Sequence, residues 1–250
     1  MATQDIGTRV PDDWFVCFHR GLTARFWRTI GAAMLDDDWK VVGGLLEGFE
    51  RVLDVPCGDG RLTARLAGAG HEVLGVDISA EEVEHARREH PDARFLVGDL
   101  RALPDGPFDA LLSWGNSFGY LPPDESPRSL AEMRRVLRPG GRLVLESGSV
   151  AEAVLPGGLT ETASYSMGGL RASIRRRYDA SESRMEAEYA FFDDDSGAAE
   201  TVRAAHHVHT TGELSRMLRA AGFASVSLRG PDGVAPYELG DGKVVVVAEA

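Results

Sequence analysis

Between Asp12 and about Gly48 the apolar residues Trp14, Phe15, Phe18, Leu22, Phe26 and Ile30 recur at three- and four-residue intervals, which predicts an amphipathic helical lead-in. Beyond it, short apolar runs alternate with helical stretches. Arg51–Val55 reads as strand, Arg61–Ala67 as helix, Glu72–Val76 as strand and Ala80–His90 as helix, the last opened by the capping box Ser79-x-x-Glu82. Phe95–Val97 and Phe108–Ser113 follow as strands, Ser126–Leu137 as helix and Gly141–Glu146 as strand. Strands separated by helices of this length pair in parallel through right-handed crossovers, so an α/β architecture with a doubly wound, mostly parallel sheet is expected.

After Ser147 the period changes. Leu170–Tyr178, Arg184–Phe192 and Thr201–Val208 are extended runs separated by turn-forming clusters, and Met185, Ala187, Tyr189 and Phe191 alternate with Glu186, Glu188 and Ala190. Burial of one face predicts an inserted antiparallel β meander. The chain then returns to a helix, Gly212–Ala221, opened by Thr210-x-x-Glu213, and to strands Ser225–Leu228 and Lys243–Ala248, which bring the main sheet to seven strands.

Composition narrows the class. With 43% apolar residues, a 250-residue chain buries enough surface to offset its conformational entropy, which excludes global disorder and fits one α/β unit with an elaboration. Lys and Arg number 27 against 39 Asp and Glu, a net charge of −12 that argues against nucleic-acid or anionic-membrane partners, which need clustered cations. The one basic cluster, Arg175-Arg176-Arg177, is either a solvated strand edge or a phosphate site. Cys17 and Cys57 cannot build a disulfide framework, no metal-ligand spacing is present, and no apolar run approaches the ~20 residues that span a bilayer. The N-terminus lacks a basic segment followed by an apolar core, so a reduced, cytoplasmic protein without metal or membrane anchor is expected.

The segment Val52-Leu-Asp-Val-Pro-Cys-Gly-Asp-Gly60 carries the first chemistry. A strand runs into a turn with Gly58 and Gly60 that lets a ligand touch the backbone, and the helix behind it offers unpaired N–H groups. Thr63 stands where the dinucleotide fingerprint G-x-G-x-x-G needs its third glycine, and no Gly-Lys-Ser/Thr follows as in a P-loop. By itself the Gly-x-Gly is either a cradle or only a tight turn. Asp77 closes the second strand 19 positions after Gly58, where an acidic residue accepts hydrogen bonds from both hydroxyls of a ribose. Asp99 follows the third strand, where a carboxylate can accept from an exocyclic adenine amine. Either alone fits a cap or turn; both together, behind a glycine turn, point to a nucleoside-bearing ligand.

Taken with Gly75-Val-Asp77, Gly98-Asp99-Leu100, the turn Leu137-Arg-Pro-Gly-Gly-Arg-Leu143, and Ala221-Gly222-Phe223 before two closing strands, the Asp54–Gly60 loop resembles the class I S-adenosylmethionine-dependent methyltransferases over most of the chain. The resemblance implies a Rossmann-like methyltransferase fold with S-adenosylmethionine as cofactor and S-adenosylhomocysteine as product. It implies a helical lid (1–48), a cofactor-binding core (49–148), the meander as substrate cover or dimer contact (149–209), and a closing helix and strand hairpin (210–250). Cys57, Gly58 and Gly60 would line the methionine moiety, Asp77 the ribose, and Asp99 with Leu100 the adenine. Asp54 belongs to the same loop, where its carboxylate either meets the cofactor or organises the turn. Ile78 and Trp114 belong to the cofactor set, and Trp27, with Trp14 and Phe18, either roofs the cofactor or packs the lead-in helix.

A closer resemblance lies in Ser113-Trp-Gly-Asn-Ser-Phe-Gly-Tyr-Leu121, Ser183–Tyr189 and His206–Leu214, which are similar to the nucleotide-sugar N-methyltransferases of antibiotic biosynthesis. Those enzymes place an N-terminal-helix tyrosine beside the reacting amine, whereas Trp14–His19 contains none. Methyl transfer from a sulfonium needs alignment above all, and a base only for a protonated or hydroxyl acceptor. Candidate catalytic residues are His19, Tyr120 and His207; on the last meander strand Ala204, His206 and Val208 share one face, and His207 and His209 the other. The expected activity is methylation of a nitrogen or oxygen of a small molecule, of natural-product type, with the meander a candidate homodimer contact. The alternative is a protein that holds the cofactor without transferring methyl, as a cyclase or sensing module.

Overall fold

The computed structural model describes residues 9–156 and 160–250. Helices α1 (Phe15–Phe18) and α2 (Gly21–Leu46) lead into β1 (Arg51–Asp54), α3 (Arg61–Gly68), β2 (Glu72–Asp77), α4 (Ala80–Glu89), β3 (Arg94–Val97) and β4 (Phe108–Ser113). A 3₁₀ turn at Phe118–Tyr120 precedes α5 (Ser126–Val136), β5 (Leu137–Ser147) and α6 (Ala151–Val154). Four strands follow, β6 (Thr162–Met167), β7 (Leu170–Asp179), β8 (Arg184–Asp193) and β9 (Ala199–His207), and the chain ends in α7 (Thr211–Ala220), β10 (Ser225–Arg229) and β11 (Val244–Glu249).

The main sheet has seven strands in the order β10-β11-β5-β4-β1-β2-β3. β11 pairs antiparallel with β5 and β10, and the other neighbours are parallel. Its central strands are apolar on both faces because helices cover both: Val52, Ala110, Leu112 and Val144 pack with the C-terminal half of α2 and with α3, while Leu53, Leu111, Leu143 and Leu145 pack with α5 and α7. The order reverses between β1 and β4, so the loops after these strands diverge and leave a crevice at their carboxyl ends.

The four strands β6-β7-β8-β9 form a separate antiparallel sheet. Its buried face, with Leu170, Ile174, Tyr189 and Phe191, packs against Trp14, Phe18 and Phe26 of the N-terminal helices. The pattern misses β6, whose Thr-Ala-Ser-Tyr-Ser-Met shows no apolar alternation because it is a largely exposed edge strand held to β7.

The lead-in is two helices rather than one. Arg20 is extended, Gly21 takes a φ of +52° that an L side chain rarely adopts, and the Leu22 N–H donates to Glu200 Oε2 at 2.7 Å. A carboxylate from β9 thus caps α2, a role no local residue could announce. α2 then runs 26 residues, about 39 Å, and packs on both sheets in turn, Phe26 on the smaller one and Val42, Leu45 and Leu46 on the larger.

Candidate functional site

A cavity of about 520 Å³ lies at the reversal point, between the two sheets and under α1 and α2. β1 delivers the glycine loop to it. Gly58 has φ +53°, and the space a Cβ would fill there has no atom within 4 Å, so the backbone lies open to a ligand. Gly60 behaves differently: a Cβ would meet the Phe95 ring at 2.6 Å, and the residue does not line the cavity. Its expected contact with a ligand is therefore corrected to close packing beneath the loop.

Asp77 ends β2 inside the cavity. Its Oδ2 accepts from the Gly58 N–H at 2.8 Å and its Oδ1 from the Ser79 N–H at 2.8 Å, so the carboxylate fixes the loop from inside the cavity. Burial raises its pKa. Asp54, also buried, accepts from the Thr63 hydroxyl at 2.6 Å, and burial pushes its pKa up to about 7. The residue that breaks the dinucleotide fingerprint is therefore the donor that satisfies the loop's own carboxylate.

Asp99 lines the cavity but is already engaged. Arg101 reaches both of its oxygens, with Nη2 at 2.6 Å from Oδ2, and also holds Glu125 at 2.8 Å. Ile78 and Leu100 supply apolar wall near it, and Cys57, its thiol pKa raised by burial, lies beside Gly58.

Charges of both signs gather elsewhere in the cavity, and the sequence pattern does not single them out. Asp38 on α2 lies 3.6 Å from Lys243 and 3.9 Å from Arg61, while Arg61 also reaches Asp59 at 3.0 Å. The Lys243 ammonium sits 4.9 Å from the centre of the Trp114 ring. Glu146 accepts the Gly115 and Asn116 N–H groups, and Asn116 Oδ1 accepts from the Gly148 and Ser149 N–H groups, both at 2.9 Å. Asn116 thus ties the ends of β4 and β5 together.

The half of the cavity under the small sheet is aromatic. Tyr120 stands 4.7 Å from Trp14 and 5.0 Å, edge on, from His206, with Phe15, Phe18, Met185 and Tyr189 also facing the space. Trp27 lines the junction with its Nε1 unpartnered. His19 also faces inward from the break between α1 and α2, and burial lowers its pKa to about 4. His206, on the same face as Ala204, lines the cavity; its pKa is lowered by burial to about 4 and its Nδ1 has no hydrogen-bond partner. His207 does not line it: strand alternation turns its side chain away, toward Arg184 and Asp12. Of the expected catalytic set, the cavity brings together His19 and Tyr120, with His206 in place of His207.

Residues 52–141 match the methyltransferase-domain family profile. A demethylmenaquinone methyltransferase of Beutenbergia cavernae is 44% identical over 98 residues, covering 38% of this chain and 40% of that protein. At that level the chain spans about two-fifths of the length of the relatives it matches. A second demethylmenaquinone methyltransferase, from Clavibacter sepedonicus, is 32% identical over 190 residues, covering 72% of this chain and 68% of its own. The fold matches an amino pentose methyltransferase of Micromonospora echinaspora, solved with its cofactor bound and involved in calicheamicin biosynthesis, with a TM-score of 0.70 at 21% identity over 92% of this chain and 98% of that one.

Proposed function

This chain belongs to the S-adenosylmethionine-dependent methyltransferases, and from that premise we propose that it methylates a nitrogen or oxygen of a small molecule, of natural-product type, held in the aromatic half of the cavity. One observation carries the reading. A single cavity joins an open glycine cradle and a ribose-type carboxylate to a chamber whose only basic ring, among the described residues of the small sheet facing it, is a neutral imidazole with a free nitrogen.

The residues fit the cofactor. The cavity volume is that of a small-molecule site, Gly58 leaves room for close approach, and Asp77 presents a carboxylate acceptor beside it. Arg61, whose Nε is buried without a partner, and Lys243 match a carboxylate, and Asp38 matches an ammonium, so this charged end suits a zwitterionic amino-acid group. Ile78, Leu100 and Asp99 suit an adenine, and Trp27 roofs the junction between the two halves. When bound, S-adenosylmethionine supplies a methyl group already activated on a sulfonium.

The chain's own contribution is alignment and exclusion of water. Phe15, Phe18, Tyr120 and Tyr189 wall the acceptor space. Tyr120, its pKa raised by burial, stays protonated and can donate. His206 accepts a hydrogen bond from an amine N–H or a hydroxyl and so turns the acceptor's lone pair toward the donor; with a pKa near 4 it orients rather than stores the proton.

The test is calorimetry with S-adenosylhomocysteine. The unaltered chain is expected to bind it at one site, and Asp77→Ala at least about tenfold more weakly. No binding by the unaltered chain overturns the reading. Failure of any acceptor in cell extract to take up label from a methyl-labelled donor favours a protein that binds the cofactor without transferring methyl.

A further inference from the structure

The two halves of the cavity differ in charge. Every carboxylate that lines it, from Asp38 on α2 to Glu146 on β5, comes from the main sheet, its loops or helices α2 and α4. The small sheet contributes Arg176, Met185, Tyr189 and His206, so its one charged group is a cation.

That cation is uncompensated. Arg175 pairs with Glu188 at 3.5 Å, Arg177 with Glu186 at 3.0 Å, Arg171 with Asp194 at 2.8 Å, and Arg184 and Arg203 also with Glu186. Among the described residues, Arg176 is the one arginine of this sheet with no carboxylate in ion-pair reach; its Nη1 meets only the Thr160 carbonyl, at 3.4 Å. Strand alternation explains the difference. Arg175 and Arg177 point to the outer face, and Arg176 points into the cavity. Register explains the room it has: opposite Arg176 stand Ala187 and then Ala204, so small residues leave its side chain space between Tyr189 and Met185. A half-buried guanidinium with no carboxylate beside it keeps its donors open to an anionic partner. In the same chamber the buried Nδ1 of His206 has no hydrogen-bond partner.

We propose that the methyl acceptor carries an anionic group, a carboxylate or a phosphate, which Arg176 holds in a forked pair while His206 faces the nucleophilic end of the same molecule. The guanidinium presents parallel N–H donors that match the two oxygens of such a group. This gives the acceptor two fixed points across one sheet face, enough to set its direction. The negative balance of the whole chain does not oppose it, since the carboxylates lining the cavity lie in the other half. The proposal rests on the methyltransferase reading above, because the acceptor half has meaning only beside a donor half.

The experiment titrates the full chain, saturated with S-adenosylhomocysteine, with benzoate, phenyl phosphate and the neutral benzyl alcohol. Benzoate or phenyl phosphate is expected to bind about 10- to 100-fold more tightly than benzyl alcohol, and the tighter of the two tells carboxylate from phosphate. Arg176→Gln should erase the preference and Arg177→Gln, on the outer face, should keep it, with S-adenosylhomocysteine affinity unchanged in both. Arg176→Met is the second variant should Arg176→Gln lose S-adenosylhomocysteine binding, and it reads the same loss. Equal affinity for charged and neutral probes, no binding of either anion at millimolar concentration, or a preference that survives removal of Arg176 overturns the proposal. If S-adenosylhomocysteine itself does not bind, the underlying methyltransferase reading falls instead.

Discussion

Replacing the Thr63 hydroxyl by a methyl leaves the buried Asp54 carboxylate without the side-chain donor it now has. Such a loss costs about 1–3 kcal/mol. Thr63→Val is therefore expected to lower unfolding free energy by that amount in urea titrations while Thr63→Ser stays near the original, and equal stabilities for Val and Ser would remove the argument. The pair also marks what a sequence can disclose about single residues. Gly58 and Asp77 are legible because one helix, one strand and the turns beside them fix their separation. Arg61, Asp38 and Lys243 are not, since they arrive from three elements and meet only when α2 crosses the sheet. His206 and His207 stand side by side in the chain, and alternation alone leaves open which face the cavity lies on.

At the scale of elements, α2 fastens the cover to the core. Arg28 forks onto Glu82 near the start of α4 with two contacts of 3.0 Å, and Glu82 is so buried that its pKa rises to about 7 despite the guanidinium. Arg28→Gln strands that carboxylate and should cost on the order of 2 kcal/mol, while the double variant with Glu82→Gln should recover part of it; additive losses in a double-mutant cycle would show that the two do not act as a pair. The strand–helix alternation of the core is readable because each crossover repeats the same period. The break at Arg20–Gly21 is not, because the apolar spacing continues across it and the capping Glu200 lies on a distant strand.

The molecule as a whole carries a charge of −12, yet it buries His206 and His207 and half-buries His19 as neutral rings with pKa values near 4. Burial is the first cause in each. The unfolded chain takes up these protons near pH 6.5, so the stability such a ring contributes is whole above that value and is lost as pH falls toward 4, by up to about 1.4 kcal/mol per pH unit for each. His206→Gln should therefore show a shallower acid limb between about pH 6.5 and 4 in melting experiments; an unchanged limb would contradict its burial as a neutral ring.

The 26 residues of α2 span both halves of the molecule. A rod held at Val42–Leu46 in one core and at Phe26 in another joins the two sheets: Trp27, Gly31 and Asp38 line the cavity from it, and the small sheet that carries Arg176 and His206 packs at its N-terminal end. A tilt of that rod would move both walls of the cavity together, so their separation follows a helix rather than a loop.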